Sequence, residues 1–246
     1  MPGDFTPPWL NLPLELRALA EWLTPLAWRH RMSNWPRGHG HPVIVYPGFG
    51  QNDTSTRALR NFLGSRGFVV EGWQLGRNWG LRKGMTGRLL AQAETLAESA
   101  GLAPALVGWS LGGVFARELA RKRPDLFSQI VSLGSPIGGG EATTIDTLFR
   151  RLNPGPRPDP EQAAARRVPP PLPCTALYTR SDGIVAWQAA CEPAGAQTEN
   201  IAVRGSHMGL GSNPMVWYAC AHRLSPDTRG QPFNWPPELA WLAPKS

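Results

Sequence analysis

Short apolar runs recur along the chain, and between them lie longer stretches whose apolar residues return every three or four positions. Residues 41–46, 68–73, 104–107, 129–133, 175–178 and 200–203 form the apolar runs. Each is bounded by Gly, Pro or polar turn residues and is short enough for a buried strand. Residues 53–65, 85–100 and 113–120 carry helical spacing, and Asp53 or Thr54 can cap the first of these helices. A further helical stretch holds His222. Strands alternating with helices predict an α/β fold with a doubly wound, mostly parallel sheet.

Two segments break that rhythm. At the N-terminus, residues 12–31 read as an amphipathic helix with Leu12, Leu16, Leu19, Leu23, Leu26 and Ala27 on one side and a bend at Pro25. Trp22, Trp28 and Trp35, near Arg29 and Arg31, fit a helix packed on the domain edge, with an interfacial helix as the alternative. In the middle, residues 137–173 run from Gly138-Gly139-Gly140 to Pro169-Pro170-Pro171. Within them 144–152 reads as a short amphipathic helix, and 154–160 is Pro-rich and poor in core-forming residues. The expected organisation is an N-terminal helix and linker (1–40), a core (41–136 and 174–225), a small insertion (137–173) and a C-terminal tail (226–246).

Length and composition fit one α/β domain of 246 residues with a sizeable core. The net charge of +7 is carried mostly by Arg, but it is scattered and no run of five basic residues occurs. It therefore reads as composition bias, with no nucleic-acid partner and at most a weak contact with a membrane surface. No stretch approaches the roughly 20 apolar residues of a membrane span. The first residues lack a basic segment followed by an apolar run, so a cytoplasmic location is expected. Cys174, Cys191 and Cys220 match no metal motif, and a Cys191–Cys220 bridge stays open.

The candidate chemistry begins at Gly108-Trp109-Ser110-Leu111-Gly112. A five-residue G-x-S-x-G match arises by chance in a Gly-rich chain, so its flanks decide. An apolar strand precedes it and a helical pattern follows, which is the strand–turn–helix context of a nucleophile elbow. The turn forces Ser110 into a strained conformation with small neighbours, and its hydroxyl sits at a helix N-terminus facing backbone N–H groups. A serine nucleophile needs a base and an acid that orients the base. Asp182 lies in the turn after one apolar strand, and His207 stands in a Gly-flanked loop after another. Both are just beyond strand C-termini, where open α/β sheets build their sites. The other histidines, His30, His39, His41 and His222, have ordinary structural explanations. Asp159, Glu192 and Asp227 are weaker acid candidates because none directly ends a strand. Upstream, Pro47-Gly48-Phe49-Gly50 follows an apolar strand, and the Phe49 and Leu111 N–H groups are the expected oxyanion donors.

With these elements in the order oxyanion turn, Ser, Asp, His, the chain resembles the α/β-hydrolase superfamily over residues 41–225, and within it the lid-bearing bacterial lipases and carboxylesterases. Pro47-Gly48-Phe49-Gly50 looks like their His-Gly oxyanion turn, with Pro47 replacing the usual histidine and removing one supporting side chain. Gly108-Trp109-Ser110-Leu111-Gly112-Gly113 is similar to the elbow of serine carboxylesterases, with Trp109 where true lipases often carry histidine. The resemblance places the superfamily's lid at the 137–173 insertion.

The expected function is hydrolysis of carboxylic esters, small-molecule or lipid, by Ser110, Asp182 and His207, with no metal or organic cofactor. An acyltransferase or thioesterase would use the same residues, and a non-catalytic binding protein could share the fold. Trp73, Trp79, Trp109, Trp187 and Trp217, near strand ends, point to an apolar or aromatic acyl site, although tryptophan in a core has the same signature.

Overall fold

The computed structural model describes residues 8–23, 28, 31–139, 142–155 and 159–244. Its centre is a sheet of six strands: β1 (Pro42–Tyr46), β2 (Val69–Gly72), β3 (Ala105–Trp109), β4 (Ile130–Leu133), β5 (Cys174–Tyr178) and β6 (Thr198–Ala202). The spatial order is β2-β1-β3-β4-β5-β6, and every neighbouring pair is parallel. The apolar runs therefore mark the strands to within a residue or two.

The runs are continuous rather than alternating because both sheet faces are covered. Along β1 and β3, Val43, Val45, Ala105 and Val107 face one apolar cluster, while Ile44, Tyr46 and Leu106 face the other. The first cluster is closed by helix α2 (Asp53–Ser65), through Leu59, Phe62 and Leu63, and by helix α7 (Pro214–Leu224), through Met215, Val216 and Trp217. The second is closed by α3 (Met85–Ala100), through Leu89, Ala93 and Leu96, and by α4 (Leu111–Lys122), through Phe115, Ala116 and Leu119. Each fully buried aliphatic side chain contributes about 1.5–3 kcal/mol, and the two-sided burial makes the sheet doubly wound. The cap of α2 is Asn52, whose side chain accepts from Thr54 N at 3.0 Å. Asp53, expected as a cap with Thr54, instead accepts from Trp73 N and Gln74 N and ties the end of β2 to α2.

The N-terminal segment differs from expectation. Residues 12–31 do not form one continuous amphipathic helix. A 3₁₀ segment runs over Trp9–Arg17 and one turn of α-helix, α1, over Ala18–Glu21; Pro25, Leu26, Ala27 and Arg29 lie outside the described residues. Pro13 sits inside the 3₁₀ stretch, where it removes a backbone donor. Leu12, Leu16, Leu19 and Leu23, expected to share a packed stripe, are exposed. Trp22 is exposed as well, whereas Trp28 and Trp35 are buried in the core. The segment turns polar side chains inward, where Asn11, Glu15, Arg17 and Glu21 make hydrogen bonds to the body.

Between β4 and β5 the chain forms two short helices, α5 (Asp146–Leu152) and α6 (Pro160–Arg167). The first lies within the expected 144–152. The second was not read from the pattern, although Asp159 caps it by accepting from Gln162 N at 2.7 Å and Pro160 occupies its first turn. The start of the insertion is pinned beside the turn after β5: Thr143 bridges Val185, and Ala186 N donates to Ala142 O at 2.9 Å. Its far end is pinned by α4. The buried Arg117 guanidinium pairs with Glu192 and donates to the carbonyls of Arg166, Arg167 and Val168, the orphan acceptors at the end of α6. The last helix, α8 (Pro237–Ala240), sets Leu239 against the first cluster.

All three cysteines are free, so the Cys191–Cys220 bridge left open by the sequence does not form. Cys220 is buried among the residues of α7 in the first cluster, and Cys191 donates to Trp187 O across its own turn.

Candidate active site

The chain leaves β1 and β3 at the point where the strand order reverses, since β2 lies on one side of β1 and β3 on the other. Open α/β sheets form a crevice there, beyond the strand C-termini. The turn after β1 carries Phe49 and the turn after β3 carries Ser110.

Ser110 has φ 54° and ψ −120°, a conformation that costs a non-glycine residue about 1–3 kcal/mol. The surroundings impose it. Ser110 N donates to Leu133 O at 2.8 Å, and Gly113 N donates to Ser110 O at 3.0 Å as α4 begins. The flanking glycines are demanded by contact: a Cβ on Gly108 would strike the backbone of Gly112 and Gly113, and one on Gly112 would strike the Tyr46 and Pro47 carbonyls. Hence β1's turn and the elbow lie backbone to backbone. A Cβ on Gly48 would stand 3.2 Å from Ser110 Cβ. Ser110 is itself largely buried, and its side of the elbow opens into a cavity rather than to bulk solvent.

In the β1 turn, Gly48 N donates to Gln51 Oε1 at 3.0 Å and Gly50 N to Asn78 O at 2.7 Å. The fully buried Asn78 amide donates to Pro47 O at 2.8 Å. These bonds use the N–H groups on either side of Phe49 and leave its own without a protein acceptor among the described residues. Leu111 opens α4, so its N–H is one of the helix's orphan donors. Gln51 and Asn78 shape this turn and were not singled out by the pattern; a lone amide in a polar loop carries no periodic signal.

Asp182 and His207 are both buried, at 2% and 3% exposure. Asp182 Oδ1 accepts from Ile184 N at 2.8 Å and Val185 N at 2.7 Å, which fixes the carboxylate. Its Oδ2 meets His207 Nδ1 at 2.7 Å. Since the carboxylate only accepts, Nδ1 carries the proton and Nε2 keeps its lone pair. Burial works against a charged imidazole, but the charge and hydrogen bond of Asp182, with the charge of Glu15, outweigh it and raise the His207 pKa. Gly134, at φ 53°, makes room for the pair; a Cβ there would stand 3.0 Å from His207 Nδ1 and 3.2 Å from Asp182 Oδ2. Trp109 Nε1 donates to His207 O at 3.2 Å, linking the His207 loop to the elbow.

The structure thus bonds Asp182 to His207 and packs the Phe49 turn on the Ser110 elbow. Among the described residues no hydrogen bond joins Ser110 to the His207 ring. The weaker acid candidates fall elsewhere: Asp159 caps α6, Glu192 pairs with Arg117 and Asp227 meets His39 at the surface.

A cavity of about 230 Å³ opens over Ser110 and Leu111. Phe49, Val114, Ile137 and Val185 give it an apolar wall, and Ile145 and Phe149 reach it from the insertion. Arg117, Glu118, Arg121 and Arg166 add charge to its lining, while Asp182 and His207 do not line it. The aromatic wall is phenylalanine, not tryptophan as the strand-end pattern indicated. Trp73, Trp109 and Trp217 are buried in the two core clusters, Trp187 stacks on Tyr178, and Trp79 supports Phe49 from behind. Among the described residues no group of three or more His, Cys, Asp or Glu side chains could hold a metal ion, and no helix is long and apolar enough to cross a membrane.

No protein-family model and no curated protein sequence matches the chain. Solved structures do. The chain is similar to lipase B of Aspergillus fumigatus at 16% identity and TM-score 0.53, covering 78% of this chain and 54% of that one, so it spans about half the length of the fungal enzyme. It is similar to a monoacylglycerol lipase of Paleococcus ferrophilus at 17% identity and TM-score 0.51, covering 75% of this chain and 95% of that one. A deformylase of Pseudomonas putida matches at 16% identity and TM-score 0.51, covering 75% and 92%. The protein has the α/β-hydrolase fold.

Proposed function

We propose that this α/β-hydrolase-fold protein is a serine hydrolase that cleaves carboxylic esters, small-molecule or lipid, through an acyl-enzyme. The observation that carries the reading is the buried 2.7 Å bond between His207 Nδ1 and Asp182 Oδ2. It lies at the same end of the sheet as a serine held at φ 54° on a helix N-terminus, and nothing in packing alone requires that combination.

In this mechanism Ser110 Oγ attacks the acyl carbonyl while His207 Nε2 takes its proton. The contact between the hydroxyl and Nε2 forms in the substrate complex, as catalytic hydrogen bonds often do. Asp182 holds the ring in the tautomer that leaves Nε2 free, and stabilises the imidazolium that results. The tetrahedral oxyanion sits between the Phe49 and Leu111 N–H groups, assisted by the positive end of α4. His207 then protonates the leaving alcohol, and water activated by the same ring releases the acid. The insertion 137–173 acts as a small lid whose Ile145 and Phe149 face the acyl group.

A fluorophosphonate probe followed by peptide mapping tests the nucleophile, and a series of p-nitrophenyl esters from acetate to decanoate, with and without an alcohol acceptor, tests the reaction. Labelling at Ser110 is expected, with turnover lowered by about 10⁴-fold or more in Ser110→Ala and His207→Ala. Ester turnover surviving in Ser110→Ala would end this reading. Products dominated by acyl transfer to the alcohol would move the protein to the acyltransferases.

A further inference from the structure

The N-terminal segment is attached to the body the wrong way round for a packed amphipathic element. Leu10, Leu16, Leu19 and Leu23 point to solvent, and the inward side is polar. Asn11 Nδ2 donates to Asp182 O at 3.3 Å. Arg17 Nη2 donates to Ser181 Oγ at 2.6 Å and also to Gly205 O. Glu21 accepts from Ser206 N at 3.1 Å and from the Ser206 hydroxyl. Glu15 is the most fully used. Its Oε1 accepts from Gly183 N at 2.8 Å and His207 N at 3.0 Å, and its Oε2 from Met208 N at 2.9 Å. Gly183 follows Asp182, so one carboxylate grips both loops. The body makes space for it: a Cβ on Gly183 would stand 2.7 Å from Asn11 O and 2.9 Å from Glu15 Cγ. Hydrophobic burial does not hold this segment in place; charge-assisted hydrogen bonds do, and their acceptors and donors are the backbones that carry Asp182 and His207.

We propose that Glu15 is a positioning residue for His207: its carboxylate locks the backbones of the Asp182 and His207 loops in one register and places a second negative charge beside the imidazole. The proposal rests on the reading of His207 as the catalytic base. The charged groups that act on the ring are Asp182 from the turn after β5 and Glu15 from the N-terminal segment; Arg17 and Glu21 bond to Gly205 O and Ser206 N just before His207. From the elbow and the end of β4, Trp109 and Gly134 lie beside the ring, and neither is charged. Asp182 fixes the ring from its Nδ1 side; Glu15 fixes the main chain from which the ring projects.

Glu15→Gln removes the charge and keeps a carbonyl oxygen that can still accept from Gly183 N and His207 N, losing the acceptor for Met208 N. Two readouts are needed. The first is the pH titration of the His207 ring by NMR in a Ser110→Ala background, which does not depend on turnover. The second is the pH profile of ester kcat/KM. The expected result is a lower His207 pKa in Glu15→Gln, an acid limb of kcat/KM displaced to lower pH in step with it, and about a tenfold loss of kcat/KM at its optimum. Glu15→Asp, which keeps the charge on a shorter stem, is expected to return the titration toward that of the wild type. An unchanged ring titration in Glu15→Gln overturns the proposal, whatever the activity. A displaced titration in a protein with no ester turnover would leave the proposal standing for His207 and remove the esterase reading. Should Glu15→Gln fail to fold, hydrogen exchange in the wild-type protein decides: the His207 and Met208 amides are expected to be protected, and rapid exchange of both would overturn the assignment.

Discussion

The ring of Phe149, on helix α5 of the insertion, meets the ring of Phe49 edge-on with centroids 5.3 Å apart. Phe49 is backed in turn by Trp79 at 5.7 Å. Phe49, in the turn beside the Ser110 elbow, is therefore wedged between the insertion and the loop after β2.

Removing that wedge is expected to change chain-length preference. Phe149→Ala should lower kcat/KM for octanoate more than for acetate, because longer chains bury more surface there, at about 0.8 kcal/mol or roughly fourfold per methylene in contact. Leu148 is half exposed and does not line the cavity, so Leu148→Ser should leave the series unchanged. Parallel losses for acetate and octanoate in Phe149→Ala would mean that the acyl group lies elsewhere.

The strain at Ser110 predicts a trade of stability against activity. Ser110→Gly removes the side chain that resists φ 54° and should stabilise the fold by about 1–3 kcal/mol, while abolishing ester turnover. Ser110→Ala keeps the strain and should melt close to wild type. Denaturant unfolding of the two variants side by side checks this; equal midpoints would show that the elbow is not strained.

The Arg117–Glu192 pair should be structural. Both side chains are almost fully buried, and burial raises the Glu192 pKa against the opposing pull of Arg117. Removing one partner strands a buried charge, so Glu192→Ala should cost about 3–5 kcal/mol. Arg117→Met removes the charge together with its bonds to the end of α6, and should free that helix. Limited proteolysis near residues 154–168 is the check, with faster cleavage in Arg117→Met than in wild type.

The raised His207 pKa has a definite sign. As a base the ring must be neutral, so the acid limb of kcat/KM should lie above the ordinary histidine value of about 6.5. For stability, a raised folded-state pKa adds stabilisation that is complete below the unfolded value and disappears as pH rises through the folded value. Asp182→Asn should therefore flatten the pH dependence of Tm across that window and move the acid limb downward. A wild-type acid limb below pH 6 would contradict the assignment.

Much of the site follows from local chemistry. Ser110 is marked by glycines that the elbow needs at Gly108 and Gly112, and Asp182 and His207 are marked by the ends of apolar runs. Those signals survive in one dimension because a turn and a strand end are built from neighbours in the chain. Glu15 gave no such signal. A lone glutamate in a leucine-rich stretch reads as the solvated face of a helix, and only the folded loops of Gly183 and Met208 reveal that it points inward.

The chain's own pattern determined the alternation of strands and helices and the strained turn at Ser110, since each depends on periodicity or turn residues within a few positions. Tertiary structure decided which faces are covered. It put Trp73, Trp109 and Trp217 in the core instead of the cavity, turned the leucines of 12–23 outward, left Cys191 and Cys220 unpaired and joined Arg117 to Glu192. A periodic row of leucines records that an element has two unlike faces. Which face meets protein depends on what polar and apolar groups wait there, and those groups come from segments more than a hundred residues away.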